Sequence, residues 1–427
     1  MESRVVVIGG GLAGLVASLR LARGGARVTL LERSRRFGGR ARTQDRDGFL
    51  WNQGPHALYT GGPAARTLRE LGIAWSGGDP ARWGGFHALA AGRLHALPTS
   101  LPSTLATSLL DWRGKVELGR LTMRLPFLRP ESVAGRSVAR WLDDETRHPE
   151  VRALVGALVR LSTYGGEPDR MSADAAVAQL QLAFKGVAYL DGGWQSLVDG
   201  ARHAAEEAGV QLEVGARAGA VVASNGGVCV ELADGRRVEA RAAVLAVPPE
   251  VAAGLLPRGA LDVSGLRPVR AACLDLALDG LPNPSVPFVL GIDEPWYLSV
   301  HSDAAGLAPP GGVVLQVAKY LGTGPSDAAR DRAELEALCD RAQPGWREHA
   351  RHVRFLPSMV VHHALPDPER GGLAARPGSE VQGVPRAYLA GDWVGPTGLL
   401  LDAAIASASE AAGRALDALA LGSPKAA

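Results

Sequence analysis

The beginning of this chain constrains it most, because one glycine-rich turn there joins two apolar runs. Arg4–Ile8 is a short β-branched run that ends directly in Gly9-Gly10-Gly11-Leu12-Ala13-Gly14. Leu15, Leu19 and Ala22 then recur at helical spacing until Gly24-Gly25, and a second apolar run over 27–31 closes on Glu32. Strand, glycine turn, helix and strand within about 30 residues make a βαβ unit. A lone GxGxxG is a weak signal. Here a strand precedes it, a helix follows and an acid sits at the tip of the next strand, the context a dinucleotide fingerprint requires. Gly9 permits the tight turn, Gly11 lets the backbone approach a pyrophosphate, and Gly14 packs helix on strand. The helix start, with Ala13 in its first turn, offers free N–H groups and the positive end of a dipole. Glu32, followed by Arg33, suits a ribose diol; an acid there disfavours a 2′-phosphate, so NADP is set aside while FAD and NAD remain.

Composition narrows the class. A length of 427 residues suits two or three domains. Basic residues number 46 and acidic ones 44, a balance that argues against a nucleic-acid binder, which shows a strongly basic domain or stripe. Only four of the basic residues are lysine (Lys115, Lys185, Lys319 and Lys425), so chemistry needing an amine has few candidates. Cys229, Cys273 and Cys339 are far apart and form no CxxC pair. Neither a disulfide framework nor a metal site is expected, and a reducing cytoplasm is the natural compartment. The first residues lack the charged leader and apolar core of a signal peptide. Residues 94–110 carry no charge but include Pro98, Pro102 and several Ser and Thr, so they do not read as a spanning helix; peripheral membrane contact stays open.

Further along, residues 63–71 read as a helix, and 98–160 as several helices separated by Pro102, Pro126, Pro130 and Pro149. An amphipathic helix over 193–209 places Leu197, Ala201, Ala204 and Ala205 on one face. A β-meander is expected next, over 210–214, 220–223, 228–232 and 237–240, with Asn225-Gly226 and Asp234-Gly235 as hairpin turns. Residues 243–247 read as a buried strand ended by Pro248-Pro249, with further strands at 271–278 and 313–318 and a charged helix over 326–341. A short strand at 387–390 ends in Gly391-Asp392; after Gly395-Pro396 the segment 399–419 is helical, and 422–427 reads as a loose tail. A nucleotide-binding unit that opens and closes the chain implies that the remainder is inserted between its parts.

With these blocks in this order, the sequence resembles the FAD-dependent amine oxidase and phytoene desaturase superfamily, which includes protoporphyrinogen oxidase. Four blocks carry the resemblance: the fingerprint extended to Gly38-Gly39-Arg40-Ala41-Arg42; Trp51-Asn52-Gln53-Gly54-Pro55-His56; Gly192-Gly193-Trp194 through to Ala246-Val247-Pro248-Pro249; and Ala390-Gly391-Asp392-Trp393 with the terminal helix. The resemblance implies FAD and not NAD, held non-covalently, since no cysteine lies in the terminal block. It implies Gly39 and Arg40 near the phosphates, Gly54, Pro55, His56 and Ala57 near the flavin, and the backbone of Ala218 at the adenine, where the family commonly has Val. It further implies Asp392 on the ribityl chain and the backbone of Leu400 and Leu401 at the pyrimidine side of the ring. The implied fold is α/β: a Rossmann-like FAD-binding domain of the glutathione-reductase type (1–75, 190–260 and 380–427) interleaved with a mixed-sheet plus helical substrate-binding domain (76–189 and 261–379) bearing a helical lid.

Two departures bear on the chemistry. Amine oxidases of the superfamily usually place a lysine near the flavin at a strand matching 268–278, and this sequence has Arg267, Arg270 and Ala271 there. Lys319 sits on another strand, where a solvated surface position is expected. The terminal helix reads Leu401-Asp402-Ala403-Ala404 where the family commonly has Glu-Gly-Ala. His362 and His363 fall where the family's strand passes the flavin and are the candidates for acid or base, against the reading that one faces the core and the other solvent. Trp296, Tyr297 and Trp393 are candidates for a pocket wall, and Arg160, Tyr164 and Arg170 for its border. The expected reaction removes hydride from an apolar, isoprenoid or polycyclic small molecule. Flavin amine oxidation to an imine with peroxide, and redox-neutral isomerisation, are the alternatives; the oligomeric state is not legible.

Overall fold

Alternation along the first strand decides the layers of the nucleotide-binding half. In the computed structural model, which describes residues 4–80 and 84–420, strand Arg4–Ile8 is the centre of a five-stranded parallel sheet. Strand Arg27–Glu32 and then Gln211–Val214 lie on one side of it, and Ala242–Leu245 and then Ala387–Leu389 on the other. Successive side chains of a strand point to opposite faces. Val5, Val7, Leu30 and Val244 therefore pack on helices Leu12–Arg23, Gln195–Glu207 and Leu400–Ala420. Val6, Ile8, Leu31 and Leu245 pack instead on a three-stranded antiparallel meander, Ala218–Ser224, Gly227–Leu232 and Arg237–Ala240. The expected four-strand meander is corrected here: Gln211–Val214 pairs in parallel with Arg27–Glu32. Its preceding helix makes it a crossover strand, and alternation alone does not distinguish that from the first strand of a hairpin.

A seven-stranded mixed sheet forms the second half, in the order Ala350–His362, Val269–Leu278, Val313–Leu321, Trp296–Val300, Phe288–Gly291, Phe86–Ala90 and Arg93–Ala96. One face, with Ala271, Cys273, Tyr297, Ala318 and Tyr320, packs on a helical layer that includes Trp112–Arg124, Val138–Glu145, Pro149–Thr163 and Ala173–Ala183. The other face, with Ala272, Leu274, Leu298 and Val317, packs on helix Ala328–Ala342. The tail over 422–427 and Lys425 lie outside the described residues.

Candidate cofactor and active site

The two halves enclose one cavity of about 1720 Å³ that runs from the fingerprint to the helical layer. At its first end, Gly9 has φ 108°, and a Cβ there would sit 2.3 Å from the carbonyl oxygen of Ala246. A Cβ on Gly14 would sit 1.9 Å from the carbonyl oxygen of Gly9, so helix and turn approach as closely as backbones can. Helix Leu12–Arg23 begins at Gly11 with no side-chain cap, and Gly9, Gly11 and Ala13 line the cavity. Uncapped N–H groups at the positive end of a helix are a ready-made anion site. Glu32 lines the cavity and braces the turn, accepting hydrogen bonds from the N–H of Gly10 (2.7 Å) and of Ser34 (2.8 Å). Arg33, Gly39 and Arg40 line the same end, and Ala218 borders it beside a β-bulge, where strand pairing is interrupted.

The middle of the cavity is held by Asp392, which is buried against two cationic or hydrogen-bonding groups. Arg40 Nη2 donates to its Oδ2 at 2.8 Å, and His363 Nδ1 lies 2.9 Å from its Oδ1. Burial pushes the carboxyl up, but the charge of Arg40 and the His363 contact outweigh this and hold it well below the usual carboxylate range. Asp392 is thus an ionised acceptor, and His363 Nδ1 carries the proton between them. Arg40 also donates to the carbonyl of Val361. Gly391, Leu400 and Leu401 complete this section, Leu400 with φ 55° at the start of the terminal helix. Pro55, His56 and Ala57 face them. His56 Nδ1 lies 2.9 Å from the carbonyl of Gly54, the ring packs edge-on against Trp194, and burial lowers its pKa to about 4.

Beyond, the lining turns apolar, with Phe86, Leu158, Leu161, Leu180 and Phe288. Four of the chain's six tyrosines (Tyr59, Tyr164, Tyr189 and Tyr297) also line it, as does His301. At the far mouth stand Leu101, Leu105, Trp112, Met123 and Phe184, all exposed.

Several sequence expectations are redirected. His362 does not line the cavity: its ring is buried, and burial lowers its pKa to about 3. Adjacent residues on an extended chain point to opposite sides, so His362 and His363 do not share the cavity. Gly14 and Gly54 stand behind the lining; Gly54, with φ 73°, packs against Cys273 and Met359. Of the expected wall, Tyr297 and Trp393 line the cavity and Trp296 does not; of the expected border, Tyr164 does, whereas Arg160 donates to the carbonyls of Gly291 and Ile292 and Arg170 to Thr323. Lys319 is not a solvated surface residue. It faces helix Ala328–Ala342 and is paired with Asp331 (2.8 Å) and Glu334 (2.6 Å), across the sheet from the cavity. Tyr189 and His301 were missed, because an alternating polar strand face reads as solvent-facing until something is known to cover it.

The model of the family described as flavin containing amine oxidoreductase matches residues 12–416. The chain belongs to this family. Its cofactor is FAD, and the protein is an oxidoreductase. The three cysteines are buried and free, and none lines the cavity. Among curated relatives, coproporphyrinogen III oxidase of Propionibacterium freudenreichii subsp. freudenreichii is 32% identical over 188 residues, covering 42% of this chain and 34% of that protein. Phytoene desaturase of Cercospora nicotianae is 41% identical over 69 residues, covering 16% of this chain and 11% of that one. The chain spans about a third or less of the length of these relatives. A putrescine oxidase solved with putrescine bound superposes over 98% of this chain and 99% of its own with a TM-score of 0.75 at 16% identity, a likeness of fold. Among the described residues, no helix is long and apolar enough to cross a membrane.

Proposed function

We propose that this protein is a dehydrogenase or desaturase that removes hydride from an apolar, isoprenoid or polycyclic small molecule. One observation carries the reading: a single cavity joins an uncapped, glycine-built phosphate site to an apolar pocket under the helical layer. FAD bound along the first part supplies the two-electron acceptor. The uncapped helix start, with Gly9 and Gly11, takes the pyrophosphate; Glu32 takes the adenosine ribose, with the Ala218 backbone at the adenine. Asp392, oriented by Arg40 and His363, takes the ribityl chain. His363 is accordingly a positioning residue for the cofactor and not a base for the substrate, and buried His362 plays no part in the chemistry. The apolar wall holds the substrate and excludes water, which sharpens every polar interaction inside.

The five-stranded sheet with its meander is read as a glutathione-reductase-type FAD domain from 1–75, 190–260 and 380–427, and the rest as the substrate domain. The mouth helices Leu101–Ala106 and Trp112–Arg124 present a lipid-facing patch. Trp112 is 75% exposed, Met123 77% and Phe127 87%, amid exposed Arg113, Arg120 and Arg129. Aromatic and aliphatic side chains set among cations suit an anionic bilayer surface, from which an apolar substrate enters. None of the described lysines stands at the flavin end of the cavity, which disfavours amine oxidation. The test is anaerobic bleaching of the bound flavin against amines, porphyrinogens and isoprenoids. Bleaching by an isoprenoid or porphyrinogen is expected; bleaching by amines alone, with peroxide on readmitting air, refutes the reading.

A further inference from the structure

Strand Trp296–Val300 and the residue after it place Tyr297, Ser299 and His301 on one face, while Trp296, Leu298 and Val300 pack on the other side of the sheet. Tyr189, from strand Val187–Leu190, completes a cluster with them. Its hydroxyl lies 3.2 Å from Ser299 Oγ and 2.9 Å from the Tyr297 hydroxyl, which lies 3.0 Å from His301 Nε2. The Tyr189 and His301 rings stack at 3.8 Å and 6°. Three of the four members, Tyr189, Tyr297 and His301, line the cavity.

Burial lowers the His301 pKa to about 3 and raises those of both tyrosines, so all four groups are neutral at neutral pH. Three hydroxyls and one neutral imidazole bring four donors, and they share three hydrogen bonds. Whichever way the three bonds point, one donor is unspent, and His301 Nδ1 has no partner. A buried donor without an acceptor is costly. The nearby wall includes apolar Phe86, Phe288 and Leu161; Asp79, an acid that also lines the cavity and is close enough to act on Tyr189, has a partner of its own. Charge is scarce here as well. Among the described residues, the cations lining the cavity are Arg33, Arg40, Arg42 and Arg217 at the nucleotide end and Lys115 at the mouth, where its Nζ donates to the carbonyl of Leu105.

We infer that the Tyr189–Tyr297–His301 cluster is the anchor for a single uncharged oxygen, a hydroxyl or carbonyl, on an otherwise apolar substrate. This deepens the proposed function and rests on it. A hydrocarbon leaves the free donor unmet, an ammonium has no lone pair to offer it, and a polycarboxylate finds no cation at this depth among the described residues.

The test titrates the flavin-loaded protein with farnesol, farnesene, farnesylamine and coproporphyrin III, reading the shift in the absorption of bound flavin and not turnover. Farnesol is expected to bind about tenfold more tightly than farnesene, the worth of one satisfied buried hydrogen bond, and more tightly than the amine or the tetracarboxylate. Equal binding of farnesol and farnesene, or tighter binding of either charged probe, overturns the anchor. The variant Tyr189→Phe/Tyr297→Phe/His301→Phe replaces the lining part of the cluster by rings of similar shape and is expected to bind farnesol and farnesene alike. Should that variant not retain flavin, Tyr189→Phe/Tyr297→Phe is measured instead, with at least a threefold loss of the preference expected. A preference that survives intact overturns the anchor. Wild-type protein that binds no FAD refutes the proposed function itself; wild-type protein that binds FAD without discriminating the probes refutes the anchor alone.

Discussion

Asp402 permits a stability prediction with a definite sign. It lies in the first turn of helix Leu400–Ala420, lines the cavity, and accepts a hydrogen bond from the N–H of Ala64 at 2.7 Å. Helix Pro63–Glu70 has glycine as its N-cap and no cap from its own side chains, so this carboxylate caps it from the far end of the chain. Burial nevertheless dominates, raising the carboxyl from its ordinary 3.8 to about 6, against the opposing Ala64 hydrogen bond. The folded protein then binds more protons than the unfolded chain between those two values, so this group's contribution is full below pH 3.8 and is lost as pH rises through about 6. The whole swing is about 3 kcal/mol, of which about 1.4 kcal/mol falls between pH 5 and 7.5. Asp402→Asn keeps an oxygen for the Ala64 N–H and abolishes the titration. Urea unfolding of the flavin-stripped protein and of the variant, at intervals from pH 5 to 7.5, should show their stability difference shifting by about 1.4 kcal/mol in favour of the variant as pH rises. Asp275 and half-buried Asp303, whose carboxyls burial also raises, titrate in both proteins and cancel in the difference. Parallel profiles, with a shift under about 0.3 kcal/mol, would show that Asp402 is not held in a proton-favouring site.

Gly14→Ala drives a methyl group onto the Gly9 carbonyl oxygen and should abolish flavin retention, read as the flavin-to-protein absorbance ratio after purification; a normal ratio would contradict the close helix-to-turn packing. Gly413→Ala, in the terminal helix with nothing within 4 Å of the new methyl, should instead raise stability by about 1 kcal/mol in urea. Arg354→Met strips the partner from fully buried Asp275, with which it is paired at 2.6 Å, and should cost about 3–5 kcal/mol; a loss under about 1 kcal/mol would mean the carboxylate finds another partner. Trp112→Asp/Phe127→Asp should weaken partitioning onto phosphatidylglycerol-containing vesicles by about tenfold or more, since each ring forfeits roughly 1.5–3 kcal/mol of apolar burial. Unchanged co-sedimentation would remove the lipid-facing reading of the mouth.

What was legible in the sequence was local and steric. The fingerprint declares itself because Gly14 answers to the Gly9 carbonyl five residues before it, while Gly9 itself answers to Ala246 across the sheet, and the terminal Gly391-Asp392 turn repeats the pattern of strand into helix. What was not legible depends on which side of a sheet is covered, and by what. The segment from Trp296 to His301 alternates large apolar residues with Tyr, Ser and His. In an isolated reading that is a strand with a wet face. The polar face becomes interior only because helices from residues 112–183 roof it over, through contacts remote in the chain. The same sheet separates Tyr320, which packs edge-on against Tyr164 on the helical side, from its neighbour Lys319, which is drawn to Asp331 and Glu334 on the opposite side. One step in register would exchange them. A lysine would then stand on the cavity side of the sheet and a phenol would be turned toward the acids of helix Ala328–Ala342. Strand parity, invisible to composition, therefore decides whether this chain's scarce lysine serves the fold or its chemistry, and it places that lysine with the fold.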